Sequence, residues 1–577
     1  MTGKLLHRFI AFLCALAWVA ACAPQPATSA PVPTAVPPSP AVSPAPAAQP
    51  AIPTPAFLGI LYGRAVPPAL REQVAAEKIP FHASMTLDVA QPGEAGTRFR
   101  WVYALAAPFP TVSDGVTSDE LRSLWTSGGT PLLMAESTLR AFEAVWGEPA
   151  SGSVRSVDDE QLLDLAWKES AWAILPFESL DPRWKVLTVD GQSPIRKGFD
   201  PATYPLVVEF TLQPTDDLDT SAWALTNYDP ARLTTIIMTG VTALVRATAV
   251  TMELKGAAYP GENVRDLFRE ADILHVSNEI PFFSQCPPPK PDATGPLVFC
   301  SSPKYMDLLT DIGADVIELT GNHFADYGAK AMYETLDIYR ASGIPYFGGG
   351  QDLQDSLKPA LFEVNGNKIA FIGCNKPDVN RFPTATDYQP GAAPCNFPYL
   401  QQKIAELKSQ GYVVVSTFQW NESYDYNPSP SQRKDFRLMA EAGASIVSGS
   451  QAHYAQTMEF YNGAFIHYGL GNLFFDQMGD QDWMPPGIRR LFFDRYVIYD
   501  GKLVSIELIT AMLEDYSRPR IMNAEERAAF LQEYFYYSGW MPFVPTPTPT
   551  ITPTLTPMSL PPLSGTSNLL PAQTPSP

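Results

Sequence analysis

Five short apolar runs between Leu233 and Thr510, four of them closing on polar residues, alternate with helical patterns, and this alternation restricts the fold more than any other feature of the chain. The runs are Thr235–Thr239, Ile273–Val276, Val316–Leu319, Tyr412–Thr417 and Ser445–Val447; the helical patterns occupy Gly261–Glu270, Tyr305–Ile312, Ala329–Ala341, Tyr399–Leu407 and Gln432–Ala442. Runs this short and this apolar predict strands buried on both faces. Asn365-Gly366, Asn462-Gly463 and Asp500-Gly501 lie between apolar runs and predict hairpins, because both residues of such a turn accept positive φ. Parallel units with antiparallel additions predict a layered α/β/β/α sandwich over residues 229–515, followed by a helical segment over 516–544.

The two ends have another texture. Lys4 and Arg8 precede an apolar run from Phe9 to Ala21, too short for a comfortable permanent span, and the run closes Val19-Ala20-Ala21-Cys22. This resembles the bacterial lipobox, which implies a signal peptide over residues 1–22, a lipid on Cys22 and an extracytoplasmic protein anchored to the cell membrane. An ordinary cleavage site with an incidental cysteine is the alternative. Residues 23–56 are rich in Pro and Ala, carry no charge and predict an extended tether; the Pro/Thr-rich stretch 545–577 predicts a disordered tail. With Cys14 and Cys22 set aside, Cys286, Cys300, Cys374 and Cys395 remain. Three pairings into two disulfides are open, and proximity favours Cys286 with Cys300 and Cys374 with Cys395. The chain has 60 Asp and Glu against 40 Lys and Arg and no basic run, so nucleic acid is not an expected partner.

Residues 57–228 predict a separate α/β domain. Thr117 and Glu120 have capping-box spacing before a helical pattern, Ser137 or Thr138 is placed to cap a second, and Ala171–Phe177 and Trp184–Val189 read as strands. The pattern resembles the type II periplasmic substrate-binding domains, in their phosphate-binding branch. That resemblance implies a small anionic ligand, for which no ligand residues stand out.

Polar residues gather where four of the five apolar runs end, the first being followed by Gly240-Val241. They are Asn278 and Glu279, then Asn322, His323 and Asp326, then Gln419 and Glu422, then Ser450, Gln451 and His453, with Asn472 after the hairpin through His467. Convergence at one sheet edge is what a hydrolytic metal centre requires. His275 and His467 lie inside apolar strands and are expected to be structural. The aromatic residues beside these ends are expected to be mostly core and loop anchors, with Trp420 and Tyr454 the exceptions that adjoin the site.

Gly321-Asn322-His323 with Asp326-Tyr327-Gly328, together with Leu470-Gly471-Asn472 and Phe475-Asp476-Gln477, resembles the CapA family of bacterial capsule or poly-γ-glutamate synthesis proteins, whose fold is that of calcineurin-like metallophosphatases. The resemblance covers Leu233 to Thr510. It implies a role in cell-envelope polymer metabolism, metal ligation by Glu279, Asn322 and His453, and proton donation by His323 with Asp326 beside it; Asn278, Gln419, Glu422, Gln451 and Asn472 would line the site. Capping of the next helix by Asp326 is the structural alternative.

Departures from the family pattern matter equally. Val241 stands where a ligand Asp is expected, and Gln419 and Gln451 where imidazoles are expected. A two-metal hydrolase needs anionic or imidazole ligands holding cations about 3.5–4 Å apart. The ligands left suffice for one divalent cation, with Mg, Mn or Ca preferred to Zn because the donors are hard oxygens, or for none. Two functions stay open: a metal-assisted hydrolase, or a non-catalytic lipoprotein that binds an envelope polymer or solute.

Overall fold

A computed structural model describes residues 58–79, 84–215, 218–291, 297–376, 383–479 and 485–541. The signal peptide 1–22 with Cys22, the tether 23–56 and the tail 545–577 lie outside the described residues.

Residues 233–521 build two sheets packed face to face. In the first, of eight strands, Tyr346–Phe347, Val316–Glu318, Ile273–Asn278 and Leu233–Thr242 run parallel, and the hairpin of Arg490–Tyr499 and Lys502–Glu514, edged by Arg518–Ile521, adds antiparallel. The second, of six strands, is ordered Ala360–Val364, Asn367–Asn375, Val413–Gln419, Ile446–Gly449, Ala464–His467 and Met458–Tyr461. Strand alternation sorts the side chains. Ile236, Met238, Ile273 and Val316 meet Ile369, Phe371, Val413 and Val415 between the sheets. Their neighbours Ile237, Leu274 and Ile317 face helices Met306–Asp311 and Gly328–Ser342 through Leu308, Leu336 and Tyr339, while Ala370, Ile372 and Val414 face helices Phe397–Ser409 and Pro430–Ala442. The expected α/β/β/α sandwich and all three hairpins are present.

Local details differ. The expected helix Gly261–Glu270 is a 3₁₀ turn at Tyr259–Gly261 followed by the short helix Arg265–Arg269. A helix at Arg246–Lys255 has no counterpart in the apolar periodicity. Residues 516–544 first add the edge strand Arg518–Ile521; only then does the helix Ala524–Tyr537 begin, behind an Asn523/Glu526 capping box.

A nine-stranded sheet, drawn wholly from strands between Ile60 and Gln213, forms the first lobe around Thr97–Pro108. The Thr117/Glu120 capping box is formed, but Ser137 and Thr138 cap nothing. That helix starts at Glu136, whose carboxylate suits the positive helix end, so Ser137 and Thr138 fall inside its first turn. By their contacts, the described residues form one compact unit. Phe109, at the end of the lobe's long strand, enters an aromatic nest of Phe460, Phe465, Phe535 and Trp540, with ring centroids 5.1, 5.4, 6.1 and 5.7 Å away.

Two buried polar ties cross the sandwich. Glu318 accepts from Ser450 Oγ at 2.9 Å and Thr320 Oγ1 at 2.5 Å and holds His275 Nε2 at 3.1 Å. His467 Nδ1 meets Asp494 Oδ2 at 2.6 Å and its Nε2 meets the Gln456 carbonyl at 3.1 Å. His275 and His467 are thus structural, as expected. Two glycines let backbones touch at the strand ends: a Cβ on Gly240 would stand 1.9 Å from the Gly471 carbonyl oxygen, and one on Gly321 2.2 Å from that of Glu279.

Removing Glu318 leaves several buried partners unsatisfied, so Glu318→Ala should cost about 3–5 kcal/mol in urea unfolding. Phe109→Ala should cost ~3–5 kcal/mol and expose the lobe junction to limited proteolysis. An unfolding midpoint unchanged in either variant would contradict the packing described.

Candidate functional site

The parallel strands of both sheets deliver their loops to one edge. His323 Nδ1 lies 2.6 Å from Asp326 Oδ2, and that oxygen also accepts the Phe299 N–H at 2.8 Å. Their side chains are 10% and 11% exposed, enough for access and too little for free rotation. Asp326 does not cap the next helix: the cap position of Gly328–Ser342 is Tyr327, without a side-chain bond. The carboxylate therefore serves the imidazole and the loop carrying Phe299.

His453 is buried, and its Nδ1 lies 2.8 Å from Asn472 Oδ1. Asn472 Nδ2 donates to the His453 carbonyl at 3.2 Å and to Gln477 Oε1 at 2.9 Å, which fixes the amide orientation. Its oxygen must then accept from His453, so Nδ1 carries the proton and Nε2 is left as the acceptor. Gln477 Nε2 donates to the Tyr424 hydroxyl at 2.9 Å, and that hydroxyl donates to Glu422, an exposed residue. Burial raises the Tyr424 phenol above its ordinary pKa, and the negative charges of Glu422 and Glu279 push in the same direction. The Tyr424 ring stacks 6.0 Å from that of His453. Glu422, Tyr424, Gln477, Asn472 and His453 thus form one chain of contacts, with Glu279 near enough to act on it.

Asn322 belongs to another network. Its Oδ1 accepts from Gln419 Nε2 at 3.1 Å, and Gln419 Oε1 in turn lies 3.2 Å from Ser450 Oγ, the hydroxyl that also reaches Glu318. Asn278 turns away, donating to the Ile280 carbonyl at 2.9 Å and the Tyr339 hydroxyl at 2.8 Å. The two aromatics expected to adjoin the site are anchors instead: Trp420 Nε1 donates to Asp435 at 3.1 Å, and the Tyr454 hydroxyl to the Pro486 carbonyl at 2.7 Å.

Sequence reasoning missed what stands between the two histidines. Phe299 lies 4.7 Å from the His323 ring and Phe475 4.7 Å from the His453 ring, with the Arg246 guanidinium 5.1 and 5.3 Å from the two phenyl groups. Asp476 holds Arg246 with both carboxylate oxygens, which accept from Nε and Nη2. Arg246 opens the unforeseen helix Arg246–Lys255 at φ +46°, so no apolar period pointed to it. Disulfides join Cys286 to Cys300 and Cys374 to Cys395, the pairing that proximity favoured; the first anchors the residue next to Phe299.

A pair of metal ions does not fit these residues. Val241 is packed with Ala243, Val245, Ile280 and Phe475, and the Asn322 oxygen is committed to Gln419. Among the described residues no group of three or more His, Cys, Asp and Glu is placed to hold a metal. Glu279 Oε1 and Gln451 Oε1 are, however, buried acceptors without a protein partner. A carboxylate and an amide oxygen of this kind, with the acceptor nitrogen of His453, are donor types that suit a single hard cation.

Residues 235–477 match the model of the family described as "Bacterial capsule synthesis protein PGA_cap". The PGA biosynthesis protein CapA of Bacillus subtilis (strain 168) is 31% identical over 226 residues, covering 39% of this chain and 59% of that protein. The capsule biosynthesis protein CapA of Bacillus anthracis is 27% identical over 278 residues, covering 47% of this chain and 67% of that protein. The chain thus spans less than two thirds of the Bacillus subtilis relative. Among solved structures, the NAD nucleotidase of Haemophilus influenzae is similar at 12% identity and a TM-score of 0.30, covering 54% of this chain and 56% of that one, a likeness that supports no further inference. The segment that carries the two histidine networks, residues 235–477, is thus the part of the chain that is similar to the bacterial capsule synthesis proteins.

Proposed function

We propose that this protein acts outside the cytoplasm, as a lipoprotein anchored through Cys22, in the synthesis or attachment of an anionic capsule polymer of poly-γ-glutamate type. The family assignment and the two disulfides, which suit an oxidising compartment, support this reading. Among the described residues no helix is long and apolar enough to cross a membrane, so within them nothing competes with the lipid as anchor.

The observation that carries the chemistry is the His323–Asp326 pair at 2.6 Å. A carboxylate on Nδ1 fixes the ring orientation and stabilises the imidazolium, which is what a side chain needs to give a proton to a leaving group. Glu279, Gln451 and His453 would hold one Mg, Mn or Ca ion, which would polarise a substrate oxygen. Arg246, held by Asp476 between the two histidines, sets a fixed positive charge beside them.

A non-catalytic polymer-binding role is the second reading, favoured by the apolar packing around Val241 and by the Asn322–Gln419 bond.

With purified chain lacking residues 1–22, shortening or transfer of poly-γ-glutamate should be followed by gel electrophoresis. His323→Ala and Asp326→Asn should each lose ~10²–10⁴-fold in rate while still binding the polymer. Full activity in both variants would rule out the proton-transfer role; an inert, metal-free wild type that binds polymer would establish the second reading. In cells, Cys22→Ala should release the protein from the membrane fraction, and retention there would refute the lipid anchor.

A further inference from the structure

Where the first lobe meets the hairpin edge of the sandwich, a cleft of about 370 Å³ collects positive charge in a chain that is acidic overall, with a net charge of -20. Lys185 and Arg196 enter from the first lobe, Arg495 and Arg527 from the sandwich side. Only two carboxylates line the same space, and each is shared. Asp114 accepts from Lys185 Nζ at 2.8 Å and meets Arg527 at 2.9 Å. Glu507 meets Arg196 at 2.5 Å and Arg495 at 3.1 Å. Glu270 also reaches Arg495 at 3.3 Å, but its side chain is 63% exposed and lies outside the cleft. Four cations against two anions leave the lining with an excess of two positive charges.

That excess is largely screened from water. The side chains of Arg495, Lys185 and Arg527 are 4%, 15% and 19% exposed. Burial, with Arg527 alongside, pushes the Lys185 ammonium down to about 8, even though Asp114 and the Thr111 carbonyl both accept from it at 2.8 Å. Burial lowers Arg527 as well. In the same lining, the Thr510 hydroxyl is buried without a protein partner and can donate to an incoming oxygen. The rest of the surface is mainly apolar, with Leu508 and Leu531 among it, and the volume lies in the range of small-molecule sites.

We propose that this cleft binds a small organic dianion, a phosphomonoester or a short dicarboxylate, whose two charges complete the half-compensated cluster while its body rests on the apolar wall. Because the cationic groups come from both lobes, the ligand ties the first lobe to the sandwich. This site is separate from the histidine networks and does not depend on their chemistry.

The test is thermal unfolding and calorimetric titration of the chain lacking residues 1–22, with glycerol 3-phosphate and glutarate in separate arms and sodium chloride at matched ionic strength as control. One of the two anions should raise the unfolding temperature with concentration where chloride does not, and the stronger arm identifies the source of the charge. Arg196→Gln, at a half-exposed position, should keep the fold and weaken binding by roughly tenfold. Lys185→Met should abolish binding. In the wild type, affinity should fall as pH rises through about 8, where Lys185 gives up its proton. The other groups facing it are Asp114, Glu507 and the three arginines, and Arg196→Gln, which leaves Lys185 in place, should retain this dependence. Arg433→Gln, which removes an arginine paired with Glu459 outside the cleft, should leave the shift intact. The proposal is overturned by a wild type that responds no more to either anion than to chloride, or by an anion response that survives unchanged in Arg196→Gln.

Discussion

Burial of both faces of two sheets is the constraint on which the rest of this structure depends. Every residue of the strands Leu233–Thr242, Ile273–Asn278 and Val413–Gln419 is buried, so polar side chains inside them must find partners across the sandwich. Glu318 and His467 show the result, since each ties one sheet to the other. Polar groups meant for solvent or ligand are left to the strand ends. The edge that carries His323 and His453 is therefore a consequence of the packing, and the close approaches at Gly240 and Gly321 hold its loops together.

Within that edge, packing and amide bonding occupy positions where the family pattern led us to expect ligands. Val241 closes an apolar cluster, and Gln419 satisfies the Asn322 oxygen by donating to it. A buried oxygen needs a donor, and an amide supplies one. The His323–Asp326 pair and the His453–Asn472 pair survive on either side of the Arg246–Asp476 ion pair. The proposed proton transfer and single cation would draw on these groups, within the segment that matches the capsule synthesis family model.

The lobe junction combines two different interactions. The nest around Phe109 is apolar and resists separation of the lobes by area alone. The neighbouring cleft gathers cations from both lobes and shares two carboxylates among them, so its electrostatics are unfinished within the protein. A fixed contact and a ligand-dependent one thus sit side by side.

The sandwich was legible in the sequence because its signals are local. Strand alternation, the three Asn-Gly or Asp-Gly turns and the caps at Thr117 each depend on a few adjacent residues. The loop Thr320–Asp326 was legible as a site for the same reason, with its Gly, Asn, His and Asp within one turn. Arg246, Phe299 and Phe475 were not, because they meet only after 53 residues separate Arg246 from Phe299 and a further 176 separate Phe299 from Phe475, and no periodicity links them. Likewise the sequence offered Asp326 as cap or as partner of His323; the direction of its side chain decided, and that direction is set by distant elements. The sequence by itself determined the layered fold and the edge where its polar residues gather. Only the tertiary structure decided which of the remaining groups are committed to one another and that charge from two lobes meets in one cleft, because hydrogen-bond partners and electrostatic sums are properties of proximity in space.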